Sequence, residues 1–484
     1  MLQEATKVIK LQLEASEEVF RSLDGQSKIC NWLYNRLLEK ANALRAEFIQ
    51  TGNTELVKTL YTKRGLRNLL PSFKEEHPFL KSVHSSPLKN AALRLSQAIQ
   101  ARQQSKKGKR RGKEVGWPRF RSWQASWFSL LFDEPNKGFK VSGDILQLSL
   151  GMGDERKRQS RSLTLKEAHL LKNQEIRNLR LVKQAGIYYA IFTVRILLVE
   201  SKPIKRIIAL DPNHKNMAYG VDKEGCSIEI AAPHWLKAYD KRVDELKSKR
   251  DRCNKRSKKV IVTDQQGKPT GKEIQLPSKR WQKYHHTLEK ALHKRQEQTK
   301  TFVYTLAHQL CKQYDCIGIG DYTPDGNGIT TLMRRAMNNR SLIGRFKDAL
   351  KWVALKSGKT CIEYDETGTT RTCHCCEYVN AEGLCPAIRT WKCPNCQIIH
   401  IRDENAAQNG LKQVLRDLIK KGETLVSLVP GSGLVSVVER WAWRVLASGV
   451  QQRSAEVRTA ISRSVRKLNG KHGAFSQKLL ISQF

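Results

Sequence analysis

Polar and apolar side chains alternate from Lys7 to Leu13 (KVIKLQL), the two-residue period of a half-buried strand. Helical spacing then takes over. Between about 16 and 104 the apolar positions recur every three or four residues, as at Ile29, Trp32, Leu33, Leu37 and Leu38, and Pro71, Pro78 and Pro87 break the run. Three or four helices fit that stretch. From Trp117 to about Ile196 the pattern returns to alternation around Gly and Asn turns, in WFSLLF, GDILQLSL and GIYYAIFTVRI, so this is a β-rich domain. The isolated first strand is its natural partner. The sequence therefore predicts a β-barrel from 1–15 and 105–200, with 16–104 as a helical insertion between its strands.

The second half mixes the two periods. Ile207 to Asp211 (IIALD) is an apolar run ending in an acid and is followed by another strand-like stretch, PNHKNMAYGVD. Trp235–Lys259 and Lys279–Tyr314 read as two long basic helices joined by a turn-rich connector, DQQGKPTGKE. Strand-like CIGIGD and KTCIEYDETG come next. The segment RDENAAQNG then opens a helix with Leu411, Val414, Leu415 and Leu418 on one face. Residues 201–372 and 397–421 thus form an α/β core interrupted at 373–396. The basic stretch 422–484, with PGSG and RSVRKLNGKHG, is expected to be a flexible tail.

Charge narrows the partners. The 484 residues carry 87 Lys and Arg against 46 Asp and Glu, a formal charge of +41 that implies a polyanionic partner. Arg102–Arg121 alone holds nine basic residues and one acid, with Gly108, Gly112 and Gly116, as in a flexible phosphate-contacting arm. No run approaches the roughly 18 apolar residues of a membrane helix. Glu4, Glu14, Glu17 and Glu18 interrupt the apolar positions where a secretory signal would be unbroken. A cytoplasmic protein without a membrane partner is expected.

Six of the twelve cysteines crowd into residues 373–396. Cys373-x-x-Cys376 and Cys393-x-x-Cys396 are separated by sixteen residues, the spacing of two zinc knuckles that set four thiolates about 2.3 Å from one ion. A redox CxxC needs only one such motif. Cys375 and Cys385 are extra, and because Cys375 adjoins Cys376 the first knuckle has a second possible register. With cysteine at all four positions the zinc is structural. The other six cysteines are scattered and read as small buried hydrophobes.

An acid at the carboxyl end of a buried strand is a favourable place for a metal site, because the backbone fixes its direction while solvent still reaches it. Asp211 is such an acid. Asp403 alone would be a helix N-cap, and only its pairing with Asp211 suggests more.

IALDPNHKNMAYGVD, CIGIGDYTP, the TCHCC and CPNC knuckles and RDENAAQNG stand in an order that resembles the TnpB proteins of insertion sequences and their descendants, the type V CRISPR effectors. SPLKNAALRLSQA and GWPRFR extend the likeness upstream, so it covers nearly the whole chain apart from the tail. The resemblance implies a RuvC-like core of RNase H fold with an inserted zinc ribbon, and a wedge barrel carrying a helical recognition insertion. It also implies a guide RNA, a double-stranded DNA target read by base pairing beside a short motif, and two Mg²⁺ ions about 4 Å apart. Asp211 matches the first family carboxylate and Asp403 the last.

The middle carboxylate departs from the pattern. Where the family has Glu then Asp, this chain has Gly320 and Asp321. Neighbouring strand residues face opposite ways, so Asp321 is no simple substitute. Three readings follow: the role has moved to the next strand, where Glu366, longer than Asp365, is preferred to it and to Glu363; a one-residue bulge brings Asp321 in; or the site is dead. Relocation is favoured, since two retained aspartates gain a dead site nothing.

The expected activity is Mg²⁺-dependent, RNA-guided cleavage of DNA. Its rivals are a nuclease-dead guided binder, distinguished by the third carboxylate, and a transposase acting directly on DNA ends, distinguished by needing no RNA. Arg334, Arg335, Arg340 and Arg345 after the second motif, and Arg119 in GWPRFR, are candidate nucleic-acid contacts. Trp117, Trp123 and Trp127 could stack bases, though packing in the β domain suits them better.

Overall fold

The computed structural model describes residues 4–110, 113–122, 126–153, 157–201, 203–213, 216–263, 269–322, 342–384, 388–422, 438–446 and 449–458. The chain divides into two compact units at Leu197 and Leu198.

In the first unit, β1 (Glu4–Glu14) is followed by the helices α1 (Glu17–Thr51), α2 (Thr54–Tyr61), α3 (Leu70–Glu76) and α4 (Ser85–Lys106). Ser16 caps α1 through its side chain, and Gly52 ends it at φ 67°, a left-handed position glycine enters without a Cβ penalty. Six strands follow: β2 (Leu130–Phe132), β3 (Phe139–Ser142), β4 (Ile145–Met152), β5 (Arg158–Leu165), β6 (Glu175–Gln184) and β7 (Ile187–Leu197). They join β1 in one antiparallel seven-stranded half-barrel of order β2-β6-β7-β1-β5-β4-β3. Here β1 pairs with β7 from Glu4↔Leu197 to Gln12↔Tyr189 and with β5 at Leu13↔Leu165. Its partners lie more than 140 residues downstream, and the four helices leave and return to one sheet. A single core joins both layers, through Leu11, Leu37, Leu88, Phe132 and Phe192.

Two tryptophans are tied into this packing. Trp117 Nε1 donates to Asn42 Oδ1 at 2.7 Å, and Trp127 Nε1 donates to Asp24 Oδ1 at 2.8 Å. Trp123 lies outside the described residues. Arg119 is exposed.

The second unit is built on a sheet of order β14-β13-β8-β9-β10-β17-β18. Its strands are β8 (Ile207–Pro212), β9 (Ala218–Asp222), β10 (Ser227–Ile230), β13 (Cys316–Gly320), β14 (Thr360–Tyr364), β17 (Val438–Leu446) and β18 (Gly449–Arg458). The first three form an antiparallel meander, and β13 runs parallel to both β8 and β14. β8 and β13 are buried along their whole length, as strands covered on both faces must be. The long helices α5 (His234–Lys255) and α6 (Lys279–Gln313) pack on each other, and α6 also packs on α7 (Ile343–Lys356). The last helix among the described residues, α8 (Arg402–Lys420), lies over β8 and β9.

Two features depart from the sequence reading. The connector between α5 and α6 contains a two-stranded ribbon, β11 (Lys259–Thr263) and β12 (Pro269–Gln275). Within the stretch expected to be a tail, β17 pairs in parallel with β10 and turns back as β18. An open edge of unpaired N–H and C=O groups on β10 accepts such a strand wherever the chain returns to it, and local composition does not show this.

Candidate functional site

Parallel register fixes the centre of the site. Ile319 lies opposite Leu210, and Gly320 lies opposite Tyr364, so Gly320 falls beside Asp211 at the carboxyl ends of β8, β13 and β14. Asp211 is 6% exposed. Burial, then the nearby Glu366 and Asp403, push its carboxyl well above the usual range. Asp211 on β8, Glu366 after β14 and Asp403 near the start of α8 thus lie close enough for the latter two to act on the Asp211 carboxyl.

Gly320 leaves the middle place open. A Cβ built on it would stand 2.5 Å from Cγ and Cδ of Glu366 and closer still to Oε1, so the Glu366 side chain occupies the volume a residue-320 side chain would need. Its Oε1 is buried without a hydrogen-bond partner. Burial, and after it Asp321, raises this carboxyl to about 7.

The other candidates are engaged elsewhere. Asp321 Oδ1 accepts the Glu366 backbone N–H at 3.3 Å, while its own N–H donates to Tyr364 O at 2.9 Å. Asp321 therefore supports the Glu366 turn. Lys347 Nζ donates to Asp321 O at 2.5 Å and also pairs with Glu363, which Lys351 meets as well. Glu363 is held below the ordinary range by Lys347 first and Lys351 next. Asp365 is exposed, with Oδ1 accepting Thr367 N–H at 2.8 Å. Arg345 lies exposed in the first turn of α7, whereas Arg334, Arg335 and Arg340 lie outside the described residues.

Asp403 sits in the first turn of α8, past the N-cap residue Ile401. Arg389, from within the ribbon, donates one nitrogen to both its oxygens at 3.1 and 3.2 Å. Among the described residues, the groups of three or more ligand atoms within 4.8 Å of one another are both in the ribbon. Three anions repel one another, and Arg389 gives Asp403 a counter-charge to one side. The donor set nevertheless suits a hard cation: carboxylate oxygens, one of them orphaned and buried.

Between Glu366 and α8 along the chain, the ribbon segment adds β15 (Thr390–Lys392) and β16 (Ile399–Ile401). Sγ of Cys373 lies 3.6 Å from that of Cys396, and Cys376 lies 3.6 Å from Cys393, with all four within 4.8 Å. A tetrahedron with bonds of about 2.3 Å has edges near 3.8 Å, so the cluster fits zinc. Cys375 faces outward and forms a second group with Cys373 and His400. Buried His400 brings Nε2 to 3.0 Å from Cys373 Sγ, and burial followed by His374 lowers it to about 4, which keeps the ring neutral. Sequence reasoning passed over Arg389, His400, Asn405 and Asn409. The two asparagines were in view within RDENAAQNG, but only their side-chain partners show a role.

The Cas12f1-like TNB domain profile matches residues 344–409, the span from α7 through the ribbon into α8. Three TnpB-like proteins of Acanthamoeba polyphaga mimivirus are each 28% identical over 151 residues, 30% of this chain and 28% of theirs. The match thus spans less than a third of those relatives. A Cas12f1 chain solved by cryo-EM in an sgRNA–target DNA complex superposes with a TM-score of 0.52, covering 84% of this chain and 98% of its own. At 11% identity that is a likeness of fold. The ribbon segment is thus similar to a Cas12f1-like domain, part of the chain to the viral TnpB-like proteins, and the fold to that of a Cas12f1 chain.

Proposed function

We propose that the protein is an RNA-guided DNA endonuclease whose site is Asp211, Asp403 and a relocated third carboxylate, Glu366. The observation that carries this reading is the Glu366 side chain in the space left by Gly320, beside buried Asp211, with one oxygen unsatisfied. A buried carboxylate oxygen without a partner is costly, and a divalent cation would repay that cost.

Asp211, fixed by β8, would be the acid nearest to both others, each of which raises its carboxyl. Asp321 and Lys347 brace the backbone on which Glu366 turns. Asp403 comes from the helix start, where the N-terminal dipole favours an anion. When bound by these acids, a pair of Mg²⁺ ions supplies Lewis acidity at a phosphodiester and a more acidic water. The guide RNA and the double-stranded DNA target belong to the proposal through the likeness to TnpB-like and Cas12f1 proteins and the +41 charge. Zinc in the ribbon would be structural.

The test uses the protein with the RNA that purifies with it. Glu366→Gln, Asp211→Ala and Asp403→Ala should each lower cleavage of a guide-matched duplex at least about 100-fold while leaving guided binding intact. Asp321→Asn should do less harm. Normal cutting by Glu366→Gln would overturn relocation, and an unmutated complex that binds its target but never nicks it in Mg²⁺ or Mn²⁺ would be a guided binder. Tight recognition of one DNA sequence by RNA-free protein would instead favour a direct transposase.

A further inference from the structure

Glu366 lies outside β14, on the segment leading to the first zinc knuckle, so strand pairing alone does not hold it. Its carbonyl accepts two bonds from Thr369, from N at 3.1 Å and from Oγ1 at 2.9 Å. Thr369 is itself buried. Two side chains of α8 grip the turn that follows. Asn405 Nδ2 donates to Thr369 O at 3.2 Å and to Thr372 O at 2.7 Å. Asn409 Nδ2 donates to the same two carbonyls, at 2.9 and 2.7 Å. Asn405 Oδ1 accepts His374 N–H at 2.9 Å, and Lys412 Nζ donates to His374 O at 2.6 Å. Residues 405, 409 and 412 share one face of the helix.

The amides are 1% and 9% exposed, so each unmade bond there would carry a desolvation cost. The chemistry also demands an amide. Both gripped atoms are carbonyl oxygens, which need donors, while the His374 N–H needs an acceptor. Asn405 supplies both from one side chain. Aspartate would set a carboxylate against two carbonyls, and a hydroxyl would offer one hydrogen where two are used. Asn405 is also two residues past Asp403, so the amides tie the helix bearing one acid to the turn bearing another.

Resting on the relocated-site reading, we propose that Asn405 and Asn409 are positioning residues that hold Glu366 and Asp403 in register, compensating for a third carboxylate that has left its strand. The first knuckle shares this clamp through His374. Metal affinity at the carboxylates then depends on two neutral side chains that are not themselves ligands.

The test measures Mn²⁺ binding to the full-length protein with its RNA by electron paramagnetic resonance, alongside zinc content and melting temperature. Asn409→Ser should keep one zinc per chain and weaken Mn²⁺ binding about tenfold or more, the usual effect of removing a group that orients a ligand. Thr369→Val, which keeps the side-chain shape and loses one bond to Glu366 O, should weaken it in the same direction. It reads the same link if Asn409→Ser does not fold. Glu366→Gln should weaken it at least as much. Unchanged Mn²⁺ affinity in folded Asn409→Ser and Thr369→Val, with Glu366→Gln impaired, would overturn the clamp alone. Unchanged affinity in Glu366→Gln would overturn the relocation on which the clamp rests.

Discussion

Glu366 and Gly320 share one volume: the carboxylate of the first fills the space that any side chain on the second would need. Gly320 ends β13, Glu366 follows the end of its parallel neighbour β14, and the two are 46 positions apart in the chain. One supplies a side chain to the space where the other has none.

This exchange predicts a rescue. Gly320→Ala should displace the Glu366 carboxylate and cost at least about 100-fold in cleavage, as removal of the acid itself should. Moving the acid back, in the double variant Gly320→Glu with Glu366→Ala, should recover most of what Glu366→Ala loses. A double variant as inactive as the single would show that the two positions are not interchangeable.

Proton linkage gives a second prediction. Folding raises Glu366 from about 4.3, the ordinary value for a glutamate, to about 7, mainly by burial and then by Asp321. The folded state therefore binds the proton more tightly than the unfolded one. The associated stability is fully present below about 4.3 and is lost as pH rises to about 7. Asp211, also raised, acts with the same sign. Without divalent metal, the melting temperature should fall across this window less steeply in Glu366→Gln than in the unmutated protein. Parallel curves would remove Glu366 as the linked group.

The ribbon should carry one zinc per chain by elemental analysis, lost in Cys376→Ser and in Cys396→Ser. Cys375→Ser should retain it, because that thiol faces outward and is not among the four clustered sulfurs. Zinc lost with Cys375 and kept without Cys376 would reverse the register of the first knuckle.

Helix α8 can approach the sheet closely only because Gly410 has no side chain. A Cβ there would meet the Tyr364 ring, with Oη at 2.5 Å and Cε2 at 2.7 Å. Tyr364 has little room to yield, since it is buried and its hydroxyl donates to Leu210 O at 2.8 Å. Gly410→Ala should therefore destabilise the protein by about 1–3 kcal/mol, read from denaturant unfolding. An unchanged midpoint would mean that the helix can shift outward freely.

Much of this protein is written locally. The alternation of KVIKLQL, the four knuckle cysteines, the apolar strand ending in Asp211 and the one-faced helix after Asp403 depend on spacing, and spacing is visible in one dimension. Gly320, standing where the resembling family has an acid, could be read there too. What the sequence left open was decided by packing across elements. Glu366, Asp365, Glu363 and Asp321 are similar acids along the chain; lysines from α7 engage Glu363, the Glu366 backbone engages Asp321, solvent takes Asp365, and Glu366 alone turns into the gap beside Asp211. Arg389 on Asp403, and the two asparagines on the turn after Glu366, likewise act through hydrogen bonds between segments 14 to 40 residues apart. Such bonds have no period and no fixed spacing, so only the tertiary structure brings their partners together.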